Sequence, residues 1–229
     1  MAFENQGISH AWDVTPKEAV AIQNELRERV AREDRFGPLH SVGGIDVGLE
    51  DGKQTARAAV VVLSFPGLEI RETAVARRTV SFPYIPGLLS FREVPVILDA
   101  LAGLASPPDL LFCDGQGLAH PRRFGLACHL GLTTGLPAIG TAKSRLVGEF
   151  APPGDGRGDW QPLLDGEEVI GAALRTRPGA KPIFVSIGHR VSLETALELA
   201  LRCTTRYRIP QPTRLAHQLA SHGRIAEIR

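Results

Sequence analysis

The densest cluster of chemistry-bearing residues in this chain is Asp114-Gly115-Gln116-Gly117-Leu118-Ala119-His120-Pro121-Arg122-Arg123. It follows a short apolar stretch, Leu110-Leu111-Phe112-Cys113, which reads as a buried strand with an acid at its end. Gly115 and Gly117 let backbone N–H groups approach a flat or anionic ligand closely. His120, Arg122 and Arg123 add polar and cationic groups at once. A carboxylate beside a cationic, glycine-flanked loop suits metal-assisted chemistry on a phosphate.

Two further acids are placed to join it. Asp46 stands in Gly44-Ile45-Asp46-Val47-Gly48, and a charge between Ile45 and Val47 is expensive to bury without a partner. If the first and fourth strands are neighbours, Asp46 and Asp114 reach one cleft. Glu93, near the start of the helix before Leu110–Cys113, could lean over the same point. Three acids from separated segments make an oxygen-rich site suited to Mg²⁺ or Mn²⁺. Acids at strand ends and helix starts also have ordinary electrostatic reasons to be there, and Asp46 equally fits a strand residue facing solvent.

Lys143 follows an apolar strand in Gly140-Thr141-Ala142-Lys143-Ser144, where it could meet a phosphate as a point charge or simply be solvated. Gly135 and Gly140 have the separation of a phosphate-binding loop. Thr141 stands where that motif needs lysine, which excludes a nucleotide triphosphatase. In Phe82-Pro83-Tyr84-Ile85-Pro86-Gly87 two prolines stiffen a tip bearing Tyr84 and Ile85. Such a tip can wedge between stacked bases, or it can be a plain turn packed on the core. His120, His189 and His217 lie at loop, strand or helix ends and are candidates beside an ordinary structural role. His10, His40, His129 and His222 have no context that raises them.

The elements that must position these residues form one domain. The chain has 229 residues, 43% hydrophobic and 22% charged, with a net charge of +1. That excludes a globally basic nucleic-acid coat. The charge is uneven, however: residues 202–229 hold six arginines against Glu227 alone, a local face compatible with a polyanion or with plain solvation. Cys113, Cys128 and Cys203 form no C-x-x-C pair, so neither a disulfide framework nor a zinc ribbon is indicated. No apolar run approaches the ~18–20 residues of a membrane span, and no secretory signal is visible, so a cytoplasmic location is expected.

Thr15-Pro16-Lys17-Glu18 is a capping box opening a helix with Ala19, Ile22, Leu26 and Val30 at helical spacing. Strands are expected near 41–48, 57–65 and 68–80 as an antiparallel meander. A helix over Leu88–Leu104, interrupted by Pro95, follows. A strand at 109–113, a helix at 122–135 and a strand at 137–140 make a unit that normally gives parallel strands. Strands near 168–175 and 182–187 precede helices at Ser192–Cys203 and Thr213–Ser221. The Pro/Gly-rich stretch 151–162 reads as a surface excursion. Residues 1–11 are expected to be a flexible tail and 223–229 a C-terminal tail. The result is an α/β chain with a mixed sheet flanked by helices.

In order and spacing these motifs resemble the endonuclease V family. The residues that carry the resemblance are Gly43-Gly44-Ile45-Asp46, Phe82 to Gly87, Phe91-Arg92-Glu93, Phe112 to Arg122, Ala142-Lys143-Ser144-Arg145-Leu146 and Pro212-Thr213-Arg214-Leu215-Ala216-His217. Together they cover nearly the whole chain. The resemblance implies an RNase H-like fold with a mixed five-stranded sheet. It implies cleavage at the second phosphodiester bond 3′ to deoxyinosine or inosine, leaving 3′-hydroxyl and 5′-phosphate ends. Mg²⁺ is the implied cofactor, with Mn²⁺ able to substitute. Asp46, Glu93 and Asp114 match metal-binding carboxylates, Lys143 a phosphate-facing lysine and His217 a histidine near the metals. Tyr84 matches the wedge within Pro83, Ile85 and Pro86. Gly87, Gly115, Gln116, Gly117 and Leu146 match the pocket for an everted hypoxanthine, whose O6 and N7 edge the backbone donors at 115–117 would read. His120 matches a pocket or strand contact. The expected partner is DNA containing deoxyinosine, acted on by a monomer away from membranes. An inosine-specific ribonuclease, a non-catalytic lesion-binding module and a nuclease for branched DNA are the alternatives. Ile187 departs from the pattern, because relatives often carry proline there, which bears on a turn expected at 186–190.

Overall fold

A computed structural model describes residues 7–225. One eight-stranded sheet runs through it. Its strands are β1 (Ser41–Glu50), β2 (Thr55–Ser64), β3 (Ile70–Thr79), β4 (Leu111–Cys113), β5 (Ala138–Ala142), β6 (Trp160–Asp165), β7 (Glu168–Leu174) and β8 (Ile183–His189). The order is β3-β2-β1-β4-β5-β8-β7-β6. The expected meander is present, with β1–β2 and β2–β3 antiparallel. The β4–β5 pair is parallel, as the intervening helix requires. The five-stranded mixed sheet expected from the resemblance is β3-β2-β1-β4-β5, and three more strands extend it beyond β5. The count of five is therefore corrected to eight. Part of the stretch expected as a surface excursion is an edge strand, β6, which starts at Trp160 and pairs with β7. The turn expected at 186–190 is instead the end of β8, in which Ile187 pairs with Ile139.

Helices cover both faces. The capping box forms at α1 (Pro16–Leu26), where the Thr15 hydroxyl accepts from Glu18 N–H and the Glu18 carboxylate accepts from Thr15 N–H. Helix α2 (Leu89–Ala102) continues through Pro95 and packs Val94, Ile97 and Leu101 against Ile45, Ala58 and Val60. Helix α3 (Leu126–Thr134) is buried on every side, as the connection between two central parallel strands must be. On the opposite face, α4 (Leu193–Arg202) lies on β7 and β8 and α5 (Gln211–His222) on β1 and β2, and Leu197, Leu215 and Leu219 join Val42, Ala59 and Val61 in one core cluster. No helix among the described residues is long and apolar enough to cross a membrane.

Both expected tails extend outside the described residues. From Ile8 onward the N-terminal stretch is docked: Ile8 N–H donates to Leu132 O at 3.0 Å, and the His10 ring lies 4.3 Å from that of Trp12. At the other end, Gly223 caps α5 in the left-handed conformation and Ile225 packs against the core.

The seat of α5 depends on one missing side chain. A Cβ on Gly44 of β1 would stand 2.0 Å from the Pro212 carbonyl at the start of α5. Backbone cannot yield as a side chain can, so any larger residue lifts the helix. Gly44→Ala is expected to cost about 1–3 kcal/mol of stability, read as a lower denaturant midpoint. A midpoint equal to the parent's would contradict so close an approach.

Candidate active site

Parallel pairing of β1 and β4 brings the first two acids together. Ile45 lies opposite Cys113, and Asp114 N–H donates to Ile45 O at 3.2 Å. One residue further along stand Asp46 and Asp114 on neighbouring strand ends. Because side chains alternate along β1, Gly44 and Asp46 share the face covered by α5. There the His217 imidazole donates from Nδ1 to Asp46 Oδ2 at 2.7 Å. Asp46, Asp114 and His217 each present a ligand atom within 4.8 Å of the others. Lys143, just beyond β5, places Nζ 2.5 Å from Asp114 Oδ2. Four of the five residues expected in the chemistry therefore form one contiguous group.

Glu93 approaches from α2, on the other side of the sheet. It lies outside the three-residue ligand group but shares its field. Burial pushes the Glu93 carboxyl up to about 8, with the charges of Asp46 and Asp114 adding to the rise and Arg92 opposing it. Asp46 is also raised, by burial first and by Asp114 second, against the hydrogen bond from His217. A site in which Asp114 raises Asp46, and both raise Glu93, is short of positive charge. Oxygen donors with one imidazole fit a hard divalent cation such as Mg²⁺ or Mn²⁺ better than a soft one.

Beside the acids opens a cavity of about 360 Å³. Tyr84, Ile85, Pro86, Gly87, Gly115, Gln116, His120 and Leu146 line it, together with Asp114 and Lys143. Pro83 and Gly117 do not. Gly117 instead packs against β8, where a Cβ would meet Ile187 O at 1.9 Å. Tyr84 is 69% exposed and Leu146 49%, so two large apolar side chains stand at the rim rather than in the core.

The expectation of three free backbone donors at 115–117 is corrected. Gly115 N–H donates to Cys113 O, and Gly117 N–H to the Ser186 hydroxyl. Among the described residues, only Gln116 N–H of the three makes no hydrogen bond. The Gln116 side chain donates from Nε2 to Ser144 O at 3.0 Å, while its buried Oε1 has no partner. His120 is buried and held neutral: desolvation first, then Arg122 and Arg123, lower it to about 4. Its Nε2 donates to Gly87 O at 3.0 Å, tying the 83–87 turn to the 114–123 loop. His189 caps Ala31 N–H through Nδ1 and does not line the cavity.

The chain matches the Endonuclease V family model over residues 24–218. It belongs to the endonuclease V family. It is 58% identical to the endonuclease V of Roseiflexus sp. (strain RS-1) over 96% of this chain and 99% of that one. A crystal structure of endonuclease V from Streptomyces avermitilis superposes with a TM-score of 0.88 at 49% identity, covering 93% of this chain and 94% of that one. Endonuclease V of Ciona intestinalis, solved with a 24mer DNA containing an inosine followed by a ribo-adenosine, superposes with a TM-score of 0.79 at 32% identity. It covers 89% of this chain and 95% of that one. As a member of the endonuclease V family, the chain is a nuclease that hydrolyses phosphodiester bonds.

One residue of this family site, Gln23, carries no motif signal, and it meets Arg122 of the 114–123 loop at the Gly87 carbonyl. Gln23 on α1 donates to Gly87 O at 3.0 Å and to Phe124 O at 3.1 Å. Arg122 donates to Gly87 O at 2.6 Å and to Gln23 Oε1 at 2.5 Å. Gly87 itself has φ +79°, a conformation that favours glycine, and a Cβ there would meet Arg122 at 2.7 Å. Only the fact that Gln23 lies on the buried face of α1 could have marked it.

The raised Glu93 carboxyl makes stability depend on pH. Between 4.5 and about 8 the unfolded chain has lost this proton and the folded chain has kept it. Stability then falls as pH rises through that window. In chelator, Tm is expected to drop between about pH 5 and pH 8, and Glu93→Gln to flatten the drop. Added Mg²⁺ should raise Tm more at the upper end. Calorimetric scans giving parallel pH profiles for parent and variant would show that Glu93 is not the titrating group.

Proposed function

We propose that this chain nicks nucleic acid at the second phosphodiester bond 3′ to deoxyinosine or inosine, in the repair of deaminated purines. The observation that carries this reading is the placement of Asp46, Asp114 and His217 next to a base-sized cavity rimmed by Tyr84 and Leu146. The inosine-containing DNA held by the Ciona relative supports the substrate class.

The unpaired groups of Gln116 match the lesion. Hypoxanthine offers an acceptor at O6 and a donor at N1. Gln116 N–H would meet the first need and its orphaned Oε1 the second. Adenine reverses both groups, so a buried donor would meet a donor and an acceptor an acceptor. Eversion of the base costs a few kcal/mol, and least for a poorly paired one, which favours inosine again. Tyr84, held out by its flanking prolines, would fill the gap left in the stack.

Asp46 and Asp114, with Glu93 behind them, would hold the divalent cation, which supplies Lewis-acid charge at the scissile phosphate. Lys143 keeps a fixed positive charge beside Asp114, where charge develops on the pentacovalent phosphorane. His217, bonded to Asp46 through Nδ1, would hold that carboxylate toward the cation.

Labelled DNA and RNA oligonucleotides carrying a single inosine, incubated with and without Mg²⁺, test the reading directly. Nicking that requires both inosine and the cation is expected. Preference for the RNA substrate would favour a ribonuclease, and binding without nicking a lesion-binding module. Asp46→Ala should cut the nicking rate to below about 1% of the parent's while lesion binding persists. Full activity in that variant would refute the assignment of Asp46.

Gln116→Leu keeps the bulk of the side chain and removes the acceptor. It is expected to lower kcat/KM for inosine by about tenfold or more, narrowing the margin over adenosine. An unchanged inosine-to-adenosine ratio would mean that Oε1 does not read the base.

A further inference from the structure

The arginine-rich segment after α4 has a structure that the nicking chemistry leaves unused. No acid occurs between Leu199 and Ala226. Arg206, Arg208 and Arg214 form no ion pair among the described residues, whereas Arg202 pairs with Glu198. The Arg214 guanidinium lies 4.4 Å from the centre of the Tyr207 ring, with that of Arg206 at 5.8 Å. Gln211, itself buried, accepts from Arg214 at 3.0 Å. An arginine held by both an aromatic face and an amide is pre-organised, so little rotamer freedom remains to be lost on binding. Tyr207 is nevertheless 43% exposed.

The position of this ridge is as informative as its charge. Arg208 donates to the backbone carbonyl of Lys143 at 3.2 Å. Arg214 precedes His217 by three residues on α5, so the two share a helix face. None of the four residues lines the base cavity. The ridge adjoins Lys143, which also lines the cavity.

We infer that Arg206, Tyr207, Arg208 and Arg214 form a binding ridge for the nucleic-acid strand 3′ to the cut, taking its phosphates on the guanidinium groups and a base against Tyr207. This rests on the proposed polarity, with the lesion base in the cavity and the broken bond on its 3′ side. A strand that enters at the cavity and crosses the acids would continue over this ridge, which starts at the Lys143 carbonyl and shares the His217 face of α5. Aromatic rings interleaved with guanidinium groups are what sequence-tolerant single-strand binding uses.

Binding measured by fluorescence anisotropy in chelator, where no cleavage intervenes, tests this on the intact protein. The probes are single-stranded oligonucleotides with one inosine and either a minimal or an extended arm of about ten nucleotides, placed on the 3′ or the 5′ side. The parent is expected to bind the extended 3′-arm probe about tenfold more tightly than the minimal one, with little gain from the 5′ arm. Tyr207→Leu and Arg214→Gln should each remove at least threefold of that gain. Arg206→Gln, altering an exposed side chain, should reduce the salt slope by about 0.7. Arg224→Gln, outside the ridge, should keep the gain.

Equal affinity for minimal and extended 3′ arms in the parent overturns the inference, as does a gain confined to the 5′ arm or one that survives the ridge variants. A protein that nicks at inosine yet binds independently of arm length loses the ridge and keeps the proposed function. Arm-dependent binding lost in the ridge variants, in a protein that does not nick, keeps the ridge and loses the function.

Discussion

The repulsion between Asp46 and Asp114 is the constraint around which the rest is built. Parallel pairing of β1 with β4 leaves these two carboxylates side by side at neighbouring strand ends. Unit charges about 4–5 Å apart repel by roughly 3–4 kcal/mol at the effective dielectric of a protein site. The chain meets this strain in two ways. Lys143 bonds Asp114, and His217 bonds Asp46. Both are partly exposed, so the acids stay within reach of solvent. Glu93 holds its proton in reserve, raised first by burial and then by the same two charges. The architecture thus tolerates the acids without a cation and strongly favours one.

Holding such a site open requires rigid surroundings on both faces. The β1 segment is pinned from one side by α2 through Ile45 and from the other by α5 through the close seat at Gly44. The cavity wall is fixed differently, through a single carbonyl. Gly87 O receives donors from Gln23, His120 and Arg122, which belong to α1 and to the loop after β4. That convergence holds the tyrosine-bearing turn over the loop that carries Asp114 and Gln116. Keeping His120 neutral matters here, because a protonated ring would add a third positive charge beside Arg122 and Arg123.

The parts of this arrangement that were legible in the sequence are those with local physical signatures. The capping box at Thr15, the apolar run of β2, the strand–helix–strand unit around α3 and the acid closing β4 all follow from patterns within a few residues. The contact between His217 and Asp46 spans 171 positions, and it was expected only because the family resemblance carried it. Gln23 was missed because nothing near it in sequence distinguishes a helix glutamine that reaches two distant carbonyls. Strand β6 was missed because its Pro/Gly-rich approach hides an edge strand with one buried side chain, Leu163. The donors at Gly115 and Gly117 were misjudged because a free N–H cannot be told from one already satisfied until the neighbouring strand is in place.

On the proposed reading, the loop after β4 also couples recognition and cleavage at a fixed spacing. Asp114 belongs to the acid cluster and Gln116 to the cavity, with one residue between them. The loop is braced at each step, by Gly115 N–H on Cys113 O, by Gly117 N–H on Ser186 and by Gln116 Nε2 on Ser144 O. It therefore cannot lengthen without breaking several buried hydrogen bonds, each of which is expensive to leave unmade. On the proposed reading, a base seated against Gln116 sets how far along the strand the acids can reach. The bond cut is then decided by the span of one short loop rather than by any contact with the nucleotide at the cut itself. A lesion specificity and a displaced cleavage position are, on this view, two consequences of the same few braced residues.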